Sequence, residues 1–307
     1  MTTSPPLVSV VIPTYNRLGL LRQAIQSVAA QEYTNYETIV ADDGSTDGTA
    51  DYVTSLSSPP VRYLRLEHTG IVAATRNAGA GSATGAYLAF LDSDDLWHPT
   101  KLSVQLAQMR GAGVSWSYTC YDMIDLDGRG MPLRSGTWTP LSGHIAKAVL
   151  TTEASIAIST LLVTSDLFNR VGRFDEDRRI NFREDHELVV RLALASPAWA
   201  VQDSLTRIRE HDGRSTHGLG AALSSVTSAH VYTKVLSFLE ERELVTVARR
   251  RRAYHLAEAG SQYLSTRAIG PAVSCFLRSI RDGVEAKHLA SAVGRGLGRI
   301  MPDRSAV

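Results

Sequence analysis

Three carboxylates fall within four positions at Asp92-Ser93-Asp94-Asp95, directly after an apolar run. Packed so closely, ionised carboxylates repel one another. A divalent cation resolves that repulsion, and hard oxygen ligands suit Mg²⁺ or Mn²⁺. Such a cation can bridge diphosphate oxygens and neutralise the charge of a departing nucleotide. The plain alternative is a solvated turn that caps the next helix. A second acidic turn, Asp42-Asp43-Gly44-Ser45, also ends an apolar run. A carboxylate there can accept from a base N–H, with Gly44 permitting close approach, or it can simply cap a tight turn. Arg76, in Arg76-Asn77-Ala78-Gly79, can pair with a phosphate or an aspartate. Glu184-Asp185 opens an amphipathic stretch, where a carboxylate caps the helix or Asp185 serves as a general base opposite the donor. His211 lies in a stretch, 209–215, too polar for a core strand. It suits a metal ligand or phosphate donor, or an ordinary hydrogen-bonded histidine.

Elements that could position these residues follow from hydrophobic periodicity. Short β-branched or apolar runs predict strands at 8–12, 38–41, 61–66, 86–91 and 114–120. Leu21, Ala24, Ile25, Val28 and Ala29 share one helical face. Further helices are predicted from Thr46-Asp47 to about 56, over 71–83, and around Leu102, Leu106 and Met109. Strands alternating with helices imply right-handed βαβ units and a mainly parallel sheet flanked by helices, an α/β, Rossmann-like plan. Ligands of such sheets bind beyond the carboxyl ends of the strands, where 13–17, 42–45 and 92–95 fall.

Residues 1–218 therefore read as one domain, with a nucleotide-binding half to about 100 and an acceptor half over 101–218. The acceptor half carries a turn-rich excursion at 125–130, a strand within 155–163 and a helix over 182–195. Residues 219–307 read as an all-α region. Gly260, Tyr263, Ala272 and Phe276 have the spacing of a tetratricopeptide helix pair. A single unit cannot bury its own face, so a simple helical hairpin is expected.

The chain has 307 residues, 44% hydrophobic and 21% charged, which excludes a disordered or coiled-coil protein. Net charge is +1, which gives no electrostatic case for nucleic acid. Two cysteines, Cys120 and Cys275, exclude a disulfide framework. Residues 1–6 lack signal-peptide features and no apolar run reaches about 18 residues, so a cytoplasmic location is expected. The neutral total hides a split. Residues 241–307 hold 12 basic against 6 acidic side chains, including Arg249-Arg250-Arg251-Arg252. That excess reads as a solvated helical face. Its sharper reading is a peripheral contact with anionic lipid, on the inner face of the membrane, or with a partner carrying the acceptor.

Taken in order, 8–17, 42–47, Arg76-Asn77-Ala78-Gly79, Asp92-Ser93-Asp94 and Glu184-Asp185 resemble the motifs of family 2 glycosyltransferases of GT-A fold. Gln31 with Tyr33 and Tyr36, Trp97 with Pro99, and Gly172-Arg173-Phe174-Asp175-Glu176 match the connecting pattern. The resemblance covers about residues 7–217 and implies inverting, metal-dependent transfer from a nucleotide sugar. A UDP-sugar is the first expectation, with GDP- and dTDP-sugars as alternatives. The acceptor would be a hydroxyl of a cell-surface glycan, a lipid-linked glycan or a small molecule. It implies that Pro13 and Tyr15 line the base pocket, that Asp43 contacts the base, and that Arg76 lies near base and diphosphate. Asp92 would hold the ribose or the metal shell, Ser93 would meet the donor through its backbone, and Asp94 would bind Mn²⁺ or Mg²⁺. Asp185 would be the catalytic base, and His211 would stand where relatives contribute to metal or diphosphate. Two rivals remain. A sugar-phosphate nucleotidyltransferase usually carries a glycine-rich loop where Pro13-Thr14-Tyr15-Asn16-Arg17 stands. A non-catalytic nucleotide-sugar-binding scaffold would not need both Asp94 and Asp185.

Overall fold

The computed structural model describes residues 5–57, 61–132, 140–211 and 220–298. The chain forms two compact units. The first comprises Met1–Glu176 and Leu188–His211, the second Asp177–Glu187 and Asp212–Val307. The expected domain boundary at 218/219 lies within residues 212–219, outside the described residues.

The first unit is built on β1 (Val8–Thr14), α1 (Leu18–Ala29), β2 (Tyr36–Asp42), α2 (Thr49–Ser55), β3 (Val61–Arg65), α3 (Val72–Gly81) and β4 (Tyr87–Phe90). β1 pairs in parallel with β2 and β4, Val8 lying opposite Tyr36 and Tyr87, and β2 pairs in parallel with β3. These strands and helices match the periodicity. The apolar face of α1 (Leu21, Ala24, Ile25 and Val28) packs with Val8, Val10 and Ile12 in one buried cluster.

The later elements are β5 (Leu96–Trp97), α4 (Lys101–Gly111), β6 (Trp116–Ile124), β7 (Gly130–Met131), α5 (Ala146–Thr151), β8 (Leu162–Thr164), α6 (Ser165–Arg170), α7 (Glu184–Ala195) and β9 (Ala198–Arg209). The strands join one sheet in the order β3-β2-β1-β4-β8-β6-β9-β5, with β7 hairpinned onto β6. Here the expectation of a mainly parallel sheet gives way to a mixed arrangement. β8 runs antiparallel to both β4 and β6, β5 runs antiparallel to β9, and among the pairings of these later strands β6–β9 alone is parallel. The excursion at 125–130 is the β6–β7 turn, closed by Asp125 and Arg129. Within 155–163 the chain forms a 3-10 turn at Ile158–Thr160 before the short β8. The long β9 had no clear sequence signal. Its pairing with β6 shifts register at Cys120, and exposed Gln202, Asp203 and Ser204 interrupt the alternation there.

Gly79 shows why the 76–79 motif ends as it does. A Cβ at that position would stand 2.5 Å from Val11 Cγ1 and 3.3 Å from Ala41 Cβ. The absent side chain lets α3 lie directly on β1 and β2. Gly79→Ala is therefore expected to destabilise the protein by about 1–3 kcal/mol through overpacking, read as a lower urea midpoint with unchanged slope.

The second unit contains α8 (Ala221–Leu236), α9 (Arg242–Ser265), α10 (Ile269–Arg281) and α11 (Ala286–Gly298). Each of the other three packs on α9. The spaced residues 260, 263, 272 and 276 fall on the hairpin of α9 and α10, where a Cβ on Gly260 would strike the Phe276 ring at 2.7 Å. Arg252 grips Asp282 through Nε and Nη2 at 2.7 and 2.8 Å, tying α9 to the end of α10. Among the described residues no helix is long and apolar enough to cross a membrane.

Candidate active site

The carboxyl ends of β1 and β2 form one polar wall. Asn16 takes a left-handed conformation (φ 48°). Its N–H donates to Ser45 Oγ at 2.8 Å, and its Oδ1 accepts from Thr46 N at 2.8 Å. Of the two adjacent aspartates, Asp42 turns inward and accepts from Ser45 N and from the Tyr63 hydroxyl at 2.6 Å. Asp43 faces the 68–70 loop, where Oδ1 accepts from Thr69 N and Oδ2 from Gly70 N, each at 2.9 Å. His68 Nδ1 lies 2.9 Å from both the Asp43 carbonyl and Oδ2. The His68 ring stacks on Tyr15, centroids 4.1 Å apart and planes 16° from parallel. Tyr15 is 41% exposed, an aromatic surface at the end of β1 next to Pro13. Gly44 (φ 86°) approaches the backbone of the same loop, with a Cβ there 3.2 Å from His68 N. His68 is thus a site residue that sequence reasoning missed, since no motif marks it.

The second wall follows β4. Buried Arg76 donates from Nη2 to Asp92 Oδ1 at 2.6 Å and lies over the Phe174 ring at 5.4 Å. Asn77 bonds the backbone of Phe174 in both directions and donates to Glu176 Oε1 at 2.8 Å. The motifs at 76–79 and 172–176 therefore meet, although about a hundred residues separate them. Carboxylate oxygens of Asp92, Asp94 and Asp95 lie within 4.8 Å of one another, and Ser93 is buried between them in sequence. Two basic side chains converge on Asp94 Oδ2: Arg17 Nη1 at 2.9 Å and His211 Nε2 at 3.0 Å. His211 is brought to the acidic turn, as the sequence allowed.

Asp95 plays a different part. Its Oδ2 accepts from Ser159 Oγ at 2.6 Å and its Oδ1 from Arg209 N at 2.9 Å. Burial, then the charges of Asp94 and Asp92, push its carboxyl well above the usual range. Ser159 Oγ also accepts from Asp92 N at 3.0 Å, so one hydroxyl fixes both ends of the turn. Arg209, 1% exposed, donates from Nε to the Asp94 carbonyl, from Nη1 to the carbonyls of Asp125 and Leu126, and from Nη2 to Gln23. Ser159 and Arg209 were not anticipated as site residues. Their partners are backbone atoms and distant side chains, which no local motif encodes.

The turn fits a divalent cation. Asp92 and Asp94 offer hard oxygen ligands, His211 sets a ring nitrogen beside Asp94 Oδ2, and the Arg17 guanidinium on the same oxygen shows that the site accommodates positive charge. Asp185 stands in the first turn of α7, its Oδ1 accepting from His186 N at 2.7 Å, and belongs to the second unit. Pro13, Tyr15, Asp43, Arg76, Asp92, Ser93, Asp94 and His211 all belong to the first.

The model of the family described as "Glycosyl transferase family 2" matches residues 9–170. An uncharacterized glycosyltransferase of Rickettsia felis is 34% identical over 212 residues, covering 68% of this chain and 34% of that protein. The chain thus spans about a third of the length of that relative. The Escherichia coli enzyme named UDP-Glc:alpha-D-GlcNAc-diphosphoundecaprenol beta-1,3-glucosyltransferase WfgD is 37% identical over 119 residues, 39% of this chain and 47% of that one. Among solved structures, S. aureus TarS 1–349 in complex with UDP-GlcNAc superposes with a TM-score of 0.72 at 17% identity. It covers 95% of this chain and 88% of that one, a likeness in fold and of the GT-A type. Since the family model runs through both acidic turns and Arg76, and a relative a third identical extends over two-thirds of the sequence, the chain belongs to glycosyl transferase family 2.

Proposed function

We propose that the protein transfers a sugar from a nucleotide-diphosphate sugar, a UDP-sugar first, to a hydroxyl of a glycan or lipid-linked acceptor, with inversion at the anomeric carbon. The observation that carries this reading is the meeting of Arg17, Arg76 and the Asp92/Asp94 pair beside the Tyr15–Asp43–His68 wall. Tyr15 offers its ring face to the base, and Asp43 stands at the base edge. Arg76 binds the diphosphate and shares Asp92, which holds the ribose or completes the metal shell, while the Ser93 backbone meets the donor. Asp94, with Asp92 and His211, would hold Mg²⁺ or Mn²⁺, which as a Lewis acid supplies charge neutralisation for the departing diphosphate. Asp185 takes the proton from the acceptor hydroxyl as that oxygen attacks the anomeric carbon from the face opposite the nucleotide. One displacement inverts the centre and needs one base, not the two flanking carboxylates of a hydrolase. The nucleotides in two names, UDP-Glc for the E. coli enzyme and UDP-GlcNAc for the TarS complex, favour UDP.

The test screens UDP-, GDP- and dTDP-sugars with Mn²⁺ or Mg²⁺, by thermal shift and by nucleotide release, and follows the product by NMR. Stabilisation and turnover with a UDP-sugar, abolished by EDTA, are expected, with inverted product. Retained configuration would sink the mechanism. Pyrophosphate release from a nucleoside triphosphate would instead favour a nucleotidyltransferase.

The tail supplies the membrane contact in this reading. α10 buries Ala272, Cys275 and Ser279 and leaves Ile269, Val273, Leu277 and Ile280 exposed, with exposed Arg278 and Arg281 on the same helix. An apolar stripe edged by arginine suits an anionic bilayer, and the E. coli relative's name specifies a diphosphoundecaprenol-linked acceptor. Co-sedimentation is expected with phosphatidylglycerol vesicles and not with phosphatidylcholine alone, and Leu277→Glu with Ile280→Glu should abolish it. A concentration-dependent dimer lost in the same variant would assign the stripe to self-association instead.

A further inference from the structure

The segment 177–187, which carries Asp185, clusters with the C-terminal helices in one compact unit. Three side chains of α8 reach it. Lys234 Nζ lies 2.9 Å from Asp177 Oδ2, and Ser224 Oγ accepts from Arg183 Nη2 at 3.2 Å. Tyr232, 2% exposed, sets its ring 5.9 Å from that of His186, the residue after Asp185. His255 of α9 stacks on Tyr232 with centroids 5.6 Å apart. Burial, with the nearby guanidinium groups of Arg183 and Arg251, keeps both histidines neutral, His186 at about 4 against the opposing charge of Asp185 and His255 at about 3. Asp177 caps a 3-10 turn at Arg178–Ile180 by accepting from Arg179 N at 2.9 Å.

Between these ties lies Phe182, at φ 68°. A bulky residue seldom enters the left-handed region, and such strain persists only where the surroundings over-determine it. The turn is closed locally by Arg183 N donating to the Ile180 carbonyl at 2.8 Å, and α8 adds ties before it at Asp177 and after it at Arg183 and His186.

We propose that α8, backed by α9, is a positioning element for Asp185: Lys234, Ser224 and Tyr232 hold the strained Phe182 turn so that the first turn of α7 fixes the carboxylate in one orientation. The inference rests on the reading of Asp185 as the base. It assigns the helical tail a part in turnover distinct from any contact with lipid.

The test uses the full chain carrying Lys234→Met and Ser224→Ala together, two changes away from the donor-binding residues. The rate of UDP release from a turned-over UDP-sugar should fall about tenfold or more, as slight misplacement of a reacting group does. KM for the donor and Kd for UDP with Mn²⁺ should stay within about twofold. In a Phe182→Gly background the same pair should cost less than about twofold, because glycine takes the left-handed turn unaided. Unchanged kcat, an equal loss of UDP affinity, or an undiminished tenfold loss in the glycine background would each overturn the proposal. Asp185→Asn, measured alongside, separates the two readings. Retained turnover there removes Asp185 as the base. An inactive Asp185→Asn with unchanged kcat in the tie variant removes only the positioning role.

Discussion

Replacing Asp94 with alanine is expected to lower kcat/KM by about 10³-fold, the scale of losing a principal electrostatic stabiliser of a departing anion. The site predicts more than inactivity. Asp94 Oδ2 is the point where Arg17 and His211 converge, so its loss releases two side chains along with the proposed metal ligand. Calorimetry should show Mn²⁺ binding lost and UDP binding without metal nearly unchanged. Asp95→Asn provides the contrast, because both Asp95 oxygens are engaged by Ser159 and Arg209. That variant should bind Mn²⁺ and unfold at a lower temperature. Full activity and Mn²⁺ affinity in Asp94→Ala would remove this residue as the ligand.

Replacing Asp185 with asparagine is expected to reduce turnover by about 10³–10⁴-fold, the upper range for loss of a general base. The amide keeps shape and hydrogen-bonding capacity but cannot take a proton. UDP affinity with Mn²⁺ should therefore stay within about twofold. A parallel loss of UDP affinity would place Asp185 in the metal shell.

How far the sequence carried these conclusions depends on whether the deciding contacts are local. Strands β1 to β4 and the apolar face of α1 were legible because periodicity and Pro or Asp stops act within a few residues. The acidic turns were legible for the same reason, and β1, β2 and β4 carry them to one end of the parallel half of the sheet. Strand direction was not legible. Leu162-Val163-Thr164 is equally apolar read either way, and only pairing with β4 and β6 makes β8 antiparallel. His68, Ser159 and Arg209 escaped because each acts through partners dozens of residues away. Asp92 and Asp95, by contrast, announced themselves by crowding.

The second unit is discontinuous, taking 177–187 from the middle of the chain and the rest from its end. During synthesis this imposes an order. The strands and helices up to 176 leave the ribosome first and include both acidic turns, so the two polar walls can begin to form early. The Phe182 turn emerges next, but Ser224, Tyr232 and Lys234 follow it by some 40 residues or more. A chain arrested before α8 would thus hold the proposed donor-binding residues without the ties to the segment that carries Asp185. On the roles proposed above, such a chain would bind donor before it could turn it over, and the helices made last would complete the conversion.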